Sequence, residues 1–191
     1  MPKTIVLSLG GSLIVPDDVD VIFLKNLKSV IEQFAKKGFK FVIVCGGGKI
    51  ARNLQQAASK IPNITNSDLD WLGIYATKSN ASLVRGIFKN NAHDTIITNP
   101  TEKIHFKKNI IIAAGWKPGW STDYDAVLLA KNIGAKEVVN MSNIDYVYDK
   151  DPKKYRNAKK IEKMNWNEFS KLISRKWKAG MNVPFDPVAA K

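Results

Sequence analysis

The hydrophobic and polar positions of this chain fall into two alternating patterns. Short continuous apolar runs end in glycine or a polar turn, and longer stretches follow in which apolar residues return every three or four positions. The run TIVLSL, residues 4–9, reads as a strand ended by GGS. In DVIFLKNLKSVIEQFAKK the apolar positions Ile22, Leu24, Leu27, Ile31 and Phe34 predict an amphipathic helix, which Gly38 ends. FKFVIV is a second strand running into CGGGK, and IARNLQQAASK reads as the helix behind it. After a polar connection residues 61–93 read as largely helical, IIIAA as a strand, TDYDAVLLAKNI as a helix ended by Gly134, and KEVVNM as the next strand. Strands without strict alternation, joined by helices, predict a mainly parallel sheet covered on both faces.

In such a sheet ligands bind beyond the carboxyl ends of the strands, where loops meet helix N-termini. The glycine-rich turns all fall at that edge. Unsatisfied N–H groups at a helix N-terminus carry positive potential and hold phosphate, and glycine lets the backbone approach it closely. A single such loop is equally well a plain turn, and Thr122 with Asp125 three residues later is equally well a capping box. Their recurrence at one edge favours a site for more than one phosphate.

Composition narrows the classes. A chain of 191 residues that is 45% hydrophobic predicts one domain, spanning 1–191, able to bury roughly 70% of its unfolded surface. No apolar run approaches the roughly 20 residues of a membrane span, and the first strand, broken by Gly10 and Gly11, is not a signal peptide. Cys45 is the only cysteine, and His93 and His105 the only histidines, which excludes an internal disulfide and a Cys/His zinc cluster and predicts a cytoplasmic location. The net charge of +13 comes mostly from scattered lysines, which read as a solvated basic surface and not a specific nucleic-acid site. It still attracts a nucleotide phosphate.

Two common fingerprints bear on the glycines. CGGGKIA is not a Walker A loop, because Ile50 follows Lys49 where Ser or Thr is needed. Gly46, Gly48 and Ala51 do satisfy G-x-G-x-x-A, which keeps an NAD(P)-binding oxidoreductase in view. That reading needs an acidic residue at the end of the following strand. Asp68 and Asp70 have the spacing, but NLQQAASKIPNITNSD offers no strand to carry them.

LSLGGSLIVP, VCGGGKIAR, DLDWLGIYATKSNASLV, GWKPGWSTDYDAVLLAK, NMSNIDYVYDKDPKKYRNAKKIEKM and FDPVAAK, in this order, resemble the amino acid kinase family, and within it the archaeal-type uridylate kinases. The resemblance implies a three-layer αβα sandwich and transfer of the ATP γ-phosphate to UMP with Mg2+, a step of pyrimidine nucleotide biosynthesis. It also implies a homo-oligomer, a hexamer built from dimers. On the acceptor side, Gly47, Asp70 and the wrapping segment Trp116, Lys117, Pro118, Gly119, Trp120, Ser121 and Thr122 would hold UMP, with Asp70 on the ribose. On the donor side, Ser8, Leu9, Gly10, Gly11, Ser12, Gly48 and Arg52 would meet the ATP phosphates, and Ser142, Asn143, Tyr148 and Asp151 the base and ribose. Arg52, Lys49, Asp123 and Asp186 would serve the transfer, with Mg2+ carried by ATP and not by direct protein ligands.

The chain departs from the family pattern in three places. Ser8 stands where many members carry a lysine, Tyr146 where they carry a glycine, and the sequence stops at Lys191 before the usual closing strands, which predicts a domain truncated at its C-terminus. A kinase of the same fold for another small phosphate or carboxylate acceptor, and a non-catalytic nucleotide, oxyanion or storage protein, are therefore the alternatives.

Overall fold

The structure is a computed structural model and describes residues 3–144, 146–150, 154–172, 185–186 and 188–190. Four parallel strands, β1 (Thr4–Leu9), β2 (Lys40–Cys45), β3 (Ile110–Ala113) and β4 (Glu137–Met141), form one sheet in the order β3-β2-β1-β4. The helices are α1 (Gly11–Ile14), α2 (Val21–Lys36), α3 (Gly48–Ala58), α4 (Asn66–Phe88), α5 (Thr122–Ile133) and α6 (Trp166–Leu172). A two-stranded antiparallel hairpin, β5 (Val147–Tyr148) with β6 (Lys160–Ile161), follows β4.

The pleat of each strand sends alternate side chains to opposite faces, and along β1, β2 and β3 both faces are largely dry, whereas the edge strand β4 leaves Val139 exposed. Leu7, Leu9, Ile43, Cys45, Ile110 and Ile112 pack with Leu24, Leu27 and Ile31 of α2 and with Ala81, Val84 and Phe88 of α4. Val6, Val42, Val44, Ile111 and Ala113 pack with Ala126, Leu129 and Ala130 of α5. Covering both faces removes the need for polar alternation, hence the unbroken apolar runs. Each fully buried isoleucine of β3 contributes about 1.5–3 kcal/mol.

The chain winds from β1 through β2 to β3 with its helices on one face, then returns through α5 on the other face to place β4 beside β1. The direction of winding therefore reverses between β1 and β4, and a crevice opens beyond their carboxyl ends. Among the described residues no helix is long and apolar enough to cross a membrane.

Helix α2 differs from its sequence reading in one respect. Ile22 is 75% exposed, because it lies two residues, roughly 200° of helix, from Leu24 on the buried row. Phe34, at the rim of that row, stacks edge-on against Phe39 at 5.4 Å.

Candidate active site

A cavity of about 540 Å3 occupies the carboxyl edge of the sheet. Its floor is the contact between two glycine turns. A Cβ on Gly11 would lie 2.0 Å from the Gly48 nitrogen, and one on Gly48, whose φ is +63°, would lie 2.3 Å from the Gly11 carbonyl oxygen. Backbone meets backbone here because neither residue has a side chain to hold the turns apart. Gly10 donates its N–H to the Met141 carbonyl at 2.8 Å, which ties the first turn to β4. Gly10, Gly11, Ser12, Gly47 and Gly48 all line the cavity.

Arg52, one turn into α3, also lines it, and among the described lining residues it is the one cation. Lys49 does not join it. Its ammonium pairs with Asp17 at 3.2 Å, outside the cavity lining. Arg52 thus faces the cavity, while the Lys49 ammonium is drawn to the carboxylate after α1.

Asp70 lines the cavity from α4, and its Oδ2 accepts the Gly119 N–H at 2.7 Å. Asp68, two residues earlier, is engaged locally: Thr65 and Asp68 form a reciprocal capping box at the start of α4. Both aspartates stand on or at the head of a helix and not at the end of a strand, which removes the acidic partner a dinucleotide fingerprint requires.

The segment between β3 and α5 is held by side chains. Gly115 donates its N–H to Thr77 Oγ1 at 2.8 Å, Trp116 donates to Asp125 Oδ2 at 3.1 Å, and Gly119 to Asp70. Trp120, Ser121 and Thr122 line the cavity, whereas Trp116, Lys117, Pro118 and Gly119 stay outside its wall. Trp116, Trp120 and Tyr124 stack in series, and the Lys117 ammonium lies 3.9 Å from the Trp116 ring centre, so the outer half of the loop is an aromatic stack with a cation on it. Ser121, and not Thr122, caps α5: its Oγ accepts the Tyr124 N–H at 3.1 Å. Asp125 is turned to Trp116 and takes no part in a capping box.

Three carboxylates gather at the head of α5. Ser8, on the α5 side of β1, donates its hydroxyl to Asp123 at 2.6 Å. Asp186 donates its N–H to Asp123 at 3.1 Å and accepts the Ser121 hydroxyl. Packing of Phe185, Ala189 and Ala190 with Phe169 and the α5 side chains Tyr124 and Val127 delivers Asp186 to this point. Burial raises the Asp123 pKa above the usual carboxylate range, against the Ser8 and Asp186 hydrogen bonds, and the charge of Asp186 adds to the rise. Burial pushes Asp125 up to about 7, the Trp116 N–H opposes it, and the Asp186 charge again adds. Asp125 Oδ1 is buried with no hydrogen-bond partner, which suits a protonated acid better than an anion.

Ser142 and Asn143 line the cavity from the end of β4. Leu9 does not, being a core residue at 1% exposure, and Tyr148 of β5 lies outside it. Asp151 falls outside the described residues. Gln55, Ile74, Thr77, Gly115 and Asn140 line the cavity without having been read from the sequence. For Thr77, and for the nearby Asn80, a signal existed: a polar residue on or beside the buried row of α4, which runs through Ile74, Ala81, Val84 and Phe88. Among the described residues no cluster of three or more His, Cys, Asp or Glu side chains could hold a metal ion.

Comparison with known proteins places this geometry. A sequence model of the amino acid kinase family matches residues 3–191. A uridylate kinase of Pyrococcus abyssi is 37% identical over 189 residues, covering 97% of this chain and 83% of the relative. One from Thermococcus kodakarensis is 35% identical over 191 residues, covering 98% and 84%. The crystal structure of a uridylate kinase from Archaeoglobus fulgidus superposes with a TM-score of 0.82 at 30% identity, over 97% of this chain and 83% of the other. An aspartate kinase from Synechocystis shares the fold, with a TM-score of 0.78 at 18% identity, over 98% of this chain and 35% of the other. With a family match over almost its whole length, and glycine turns meeting at the sheet edge as the motif order implies, the chain belongs to the amino acid kinase family.

Proposed function

We propose that this chain is a UMP kinase, moving the γ-phosphoryl group of ATP onto the phosphate of UMP to give UDP. The observation that carries the reading is one cavity joining the two glycine turns, Arg52, Asp70 and the head of α5, in a chain whose uridylate kinase relatives align over 97% or more of it. UMP occupies the side toward α4 and α5. Asp70 accepts from the ribose hydroxyls, Trp120 packs on the nucleoside, and the N–H groups at the head of α5 ahead of Tyr124, whose own N–H Ser121 already caps, meet the acceptor phosphate together with the Thr122 hydroxyl.

ATP lies over Gly10, Gly11, Ser12 and Gly48, where the missing side chains of Gly11 and Gly48 let the two turns meet backbone to backbone, with its base toward Ser142 and Asn143. Arg52 stands between the two and holds transferring phosphoryl oxygens through its planar fork. Transfer of this kind depends on positioning and on cationic stabilisation more than on an acid–base pair. The cavity holds Asp70, Asp123 and Asp186 against Arg52 alone among its described cations, so the donor set fits a substrate that brings its own positive charge. Mg2+ accompanying ATP would supply that charge, and Asp123 and Asp186 are the carboxylates that would face it.

The protein works as a cytoplasmic homo-oligomer, a hexamer built from dimers. Trp71 and Tyr75, 38% and 61% exposed one turn apart on α4, support an association face. A second reading, a nucleotide-binding protein without transfer, draws on the Ser8 hydroxyl being engaged with Asp123 and on Lys49 being paired away from the cavity. ADP release measured with UMP, CMP, dUMP and no acceptor separates them. Release with UMP alone supports the kinase. Equal rates with CMP overturn the uridylate assignment, and no release despite nucleotide binding by calorimetry favours the second reading.

A further inference from the structure

The inner face of α4 is apolar except at two positions. Ile74, Ala81, Val84 and Phe88 are buried there, and with them the hydroxyl of Thr77 and the amide of Asn80, at 6% and 2% exposure. Both polar groups reach out of the helix. Thr77 Oγ1 donates to the Ile74 carbonyl at 2.6 Å and accepts the Gly115 N–H at 2.8 Å. Asn80 Nδ2 donates to the Gly46 carbonyl at 2.7 Å. Gly46 opens the phosphate loop after β2, and Gly115 opens the acceptor loop after β3.

The parallel register of β2 with β3 ends at the pair Val44 and Ala113. Beyond that pair the sheet no longer fixes the distance between the two loops. Residues three apart on a helix share a face, so a single turn of α4 touches both loops at the point where the sheet lets go. Asp70, two turns earlier on the same helix, holds the far end of the acceptor loop through Gly119.

We propose that Thr77 and Asn80 are positioning residues that lock the acceptor loop to the phosphate loop through one turn of α4. The helix, already rigid through its core contacts, sets the gap between the two phosphate-holding backbones before nucleotide arrives. What the loops hold rests on the kinase reading above; the coupling of the loops does not. Displacement of reacting groups by about 1 Å costs roughly 100-fold in rate, so the lock acts on turnover more than on binding.

Amide hydrogen exchange on the full 191-residue chain, without nucleotide, tests the coupling. Thr77→Val keeps the side-chain shape and removes the oxygen. It is expected to speed exchange roughly 10-fold in the peptide covering 114–120 and also in the peptide covering 45–48, which Thr77 does not touch. Asn80→Leu is expected to loosen the same two peptides, and Thr77→Ser, which keeps the hydroxyl, to protect both nearly as the parent chain does. In steady state Thr77→Val should lower kcat roughly 100-fold, with KM for UMP and ATP within about 3-fold, and Thr77→Ser should recover most of the turnover.

The proposal is overturned if each substitution loosens only the loop it touches, or if Thr77→Ser behaves as Thr77→Val does. Should Asn80→Leu fail to fold, exchange at 45–48 in Thr77→Val decides alone. A parent chain that transfers nothing to UMP refutes the kinase reading, and exchange still decides the lock.

Discussion

The two sides of the cavity are shaped by opposite means. On the side of β1 and β2, the turns at Gly11 and Gly48 interlock because side chains are missing, with backbone atoms closer than any Cβ permits. On the side of α4 and α5, the loop from Gly115 to Gly119 is shaped by side chains that reach in, with Thr77, Asp125 and Asp70 each taking one N–H. A surface made by omission tolerates no added atom. A surface made by pins tolerates added atoms but not the loss of an acceptor.

The largest effect that separates the two sides is expected at Gly11. Gly11→Ala puts a methyl 2.0 Å from the Gly48 nitrogen, where only backbone can give way, and should destabilise the fold by on the order of 4 kcal/mol or prevent soluble expression. A chain that melts like the parent would mean that the turns part easily, and the contrast between the two sides would fail.

Asp125 tests the pinned side through pH. Its folded pKa, about 7, lies above its value in the unfolded chain, so the folded state binds the extra proton. Stability from this group is full below about pH 4, is lost as pH rises toward 7, and is level above it, a change of up to about 4 kcal/mol. Asp125→Asn removes the titration. Melting temperatures at pH 5 and pH 8 should converge in the variant, and a parent chain equally stable at both would discard the buried acid.

Arg52→Ala should lower turnover roughly 100-fold, the scale of losing one preorganised donor, and Arg52→Lys should restore only part of it because a point charge lacks the bidentate fork. Normal turnover in both, measured on samples with normal melting, would take Arg52 out of the chemistry. Asp70→Asn keeps an oxygen for the Gly119 N–H and removes the charge, so the loop should hold while UMP affinity falls about 10-fold and ATP affinity stays constant. Equal losses for both nucleotides would show that Asp70 acts on the cavity as a whole. The smallest effect belongs to Gly134, whose φ is +68° with nothing within 4 Å of a built Cβ. Gly134→Ala should cost about 1 kcal/mol from backbone conformation alone, in contrast to the collision at Gly11.

Much of this molecule was legible in its residues. The helix TDYDAVLLAKNI and the strand TIVLSL have the limits their periodicity gives them, because a 3.6-residue stripe and a continuous apolar run are each local properties of the chain. Glycines behind two successive strands marked the edge where the cavity opens, since a parallel sheet brings all its carboxyl ends to one edge. The order of motifs placed Asp70, Arg52, Thr122, Asp123 and Asp186 on one cavity.

What the chain by itself determined is which segments become helix or strand and at which edge the glycines gather, because those depend on neighbours in sequence. The tertiary structure decided which of two similar residues faces inward. Asp70 and not Asp68 reaches the cavity, Arg52 and not Lys49, and Ser121 and not Thr122 caps α5. It also decided the pins, Thr77 to Gly115, Asn80 to Gly46 and Ser8 to Asp123, which join residues 38, 34 and 115 positions apart. Such bonds follow from the strand order β3-β2-β1-β4 and from the rotation of each helix about its axis, and both are fixed by burying apolar surface across the whole domain.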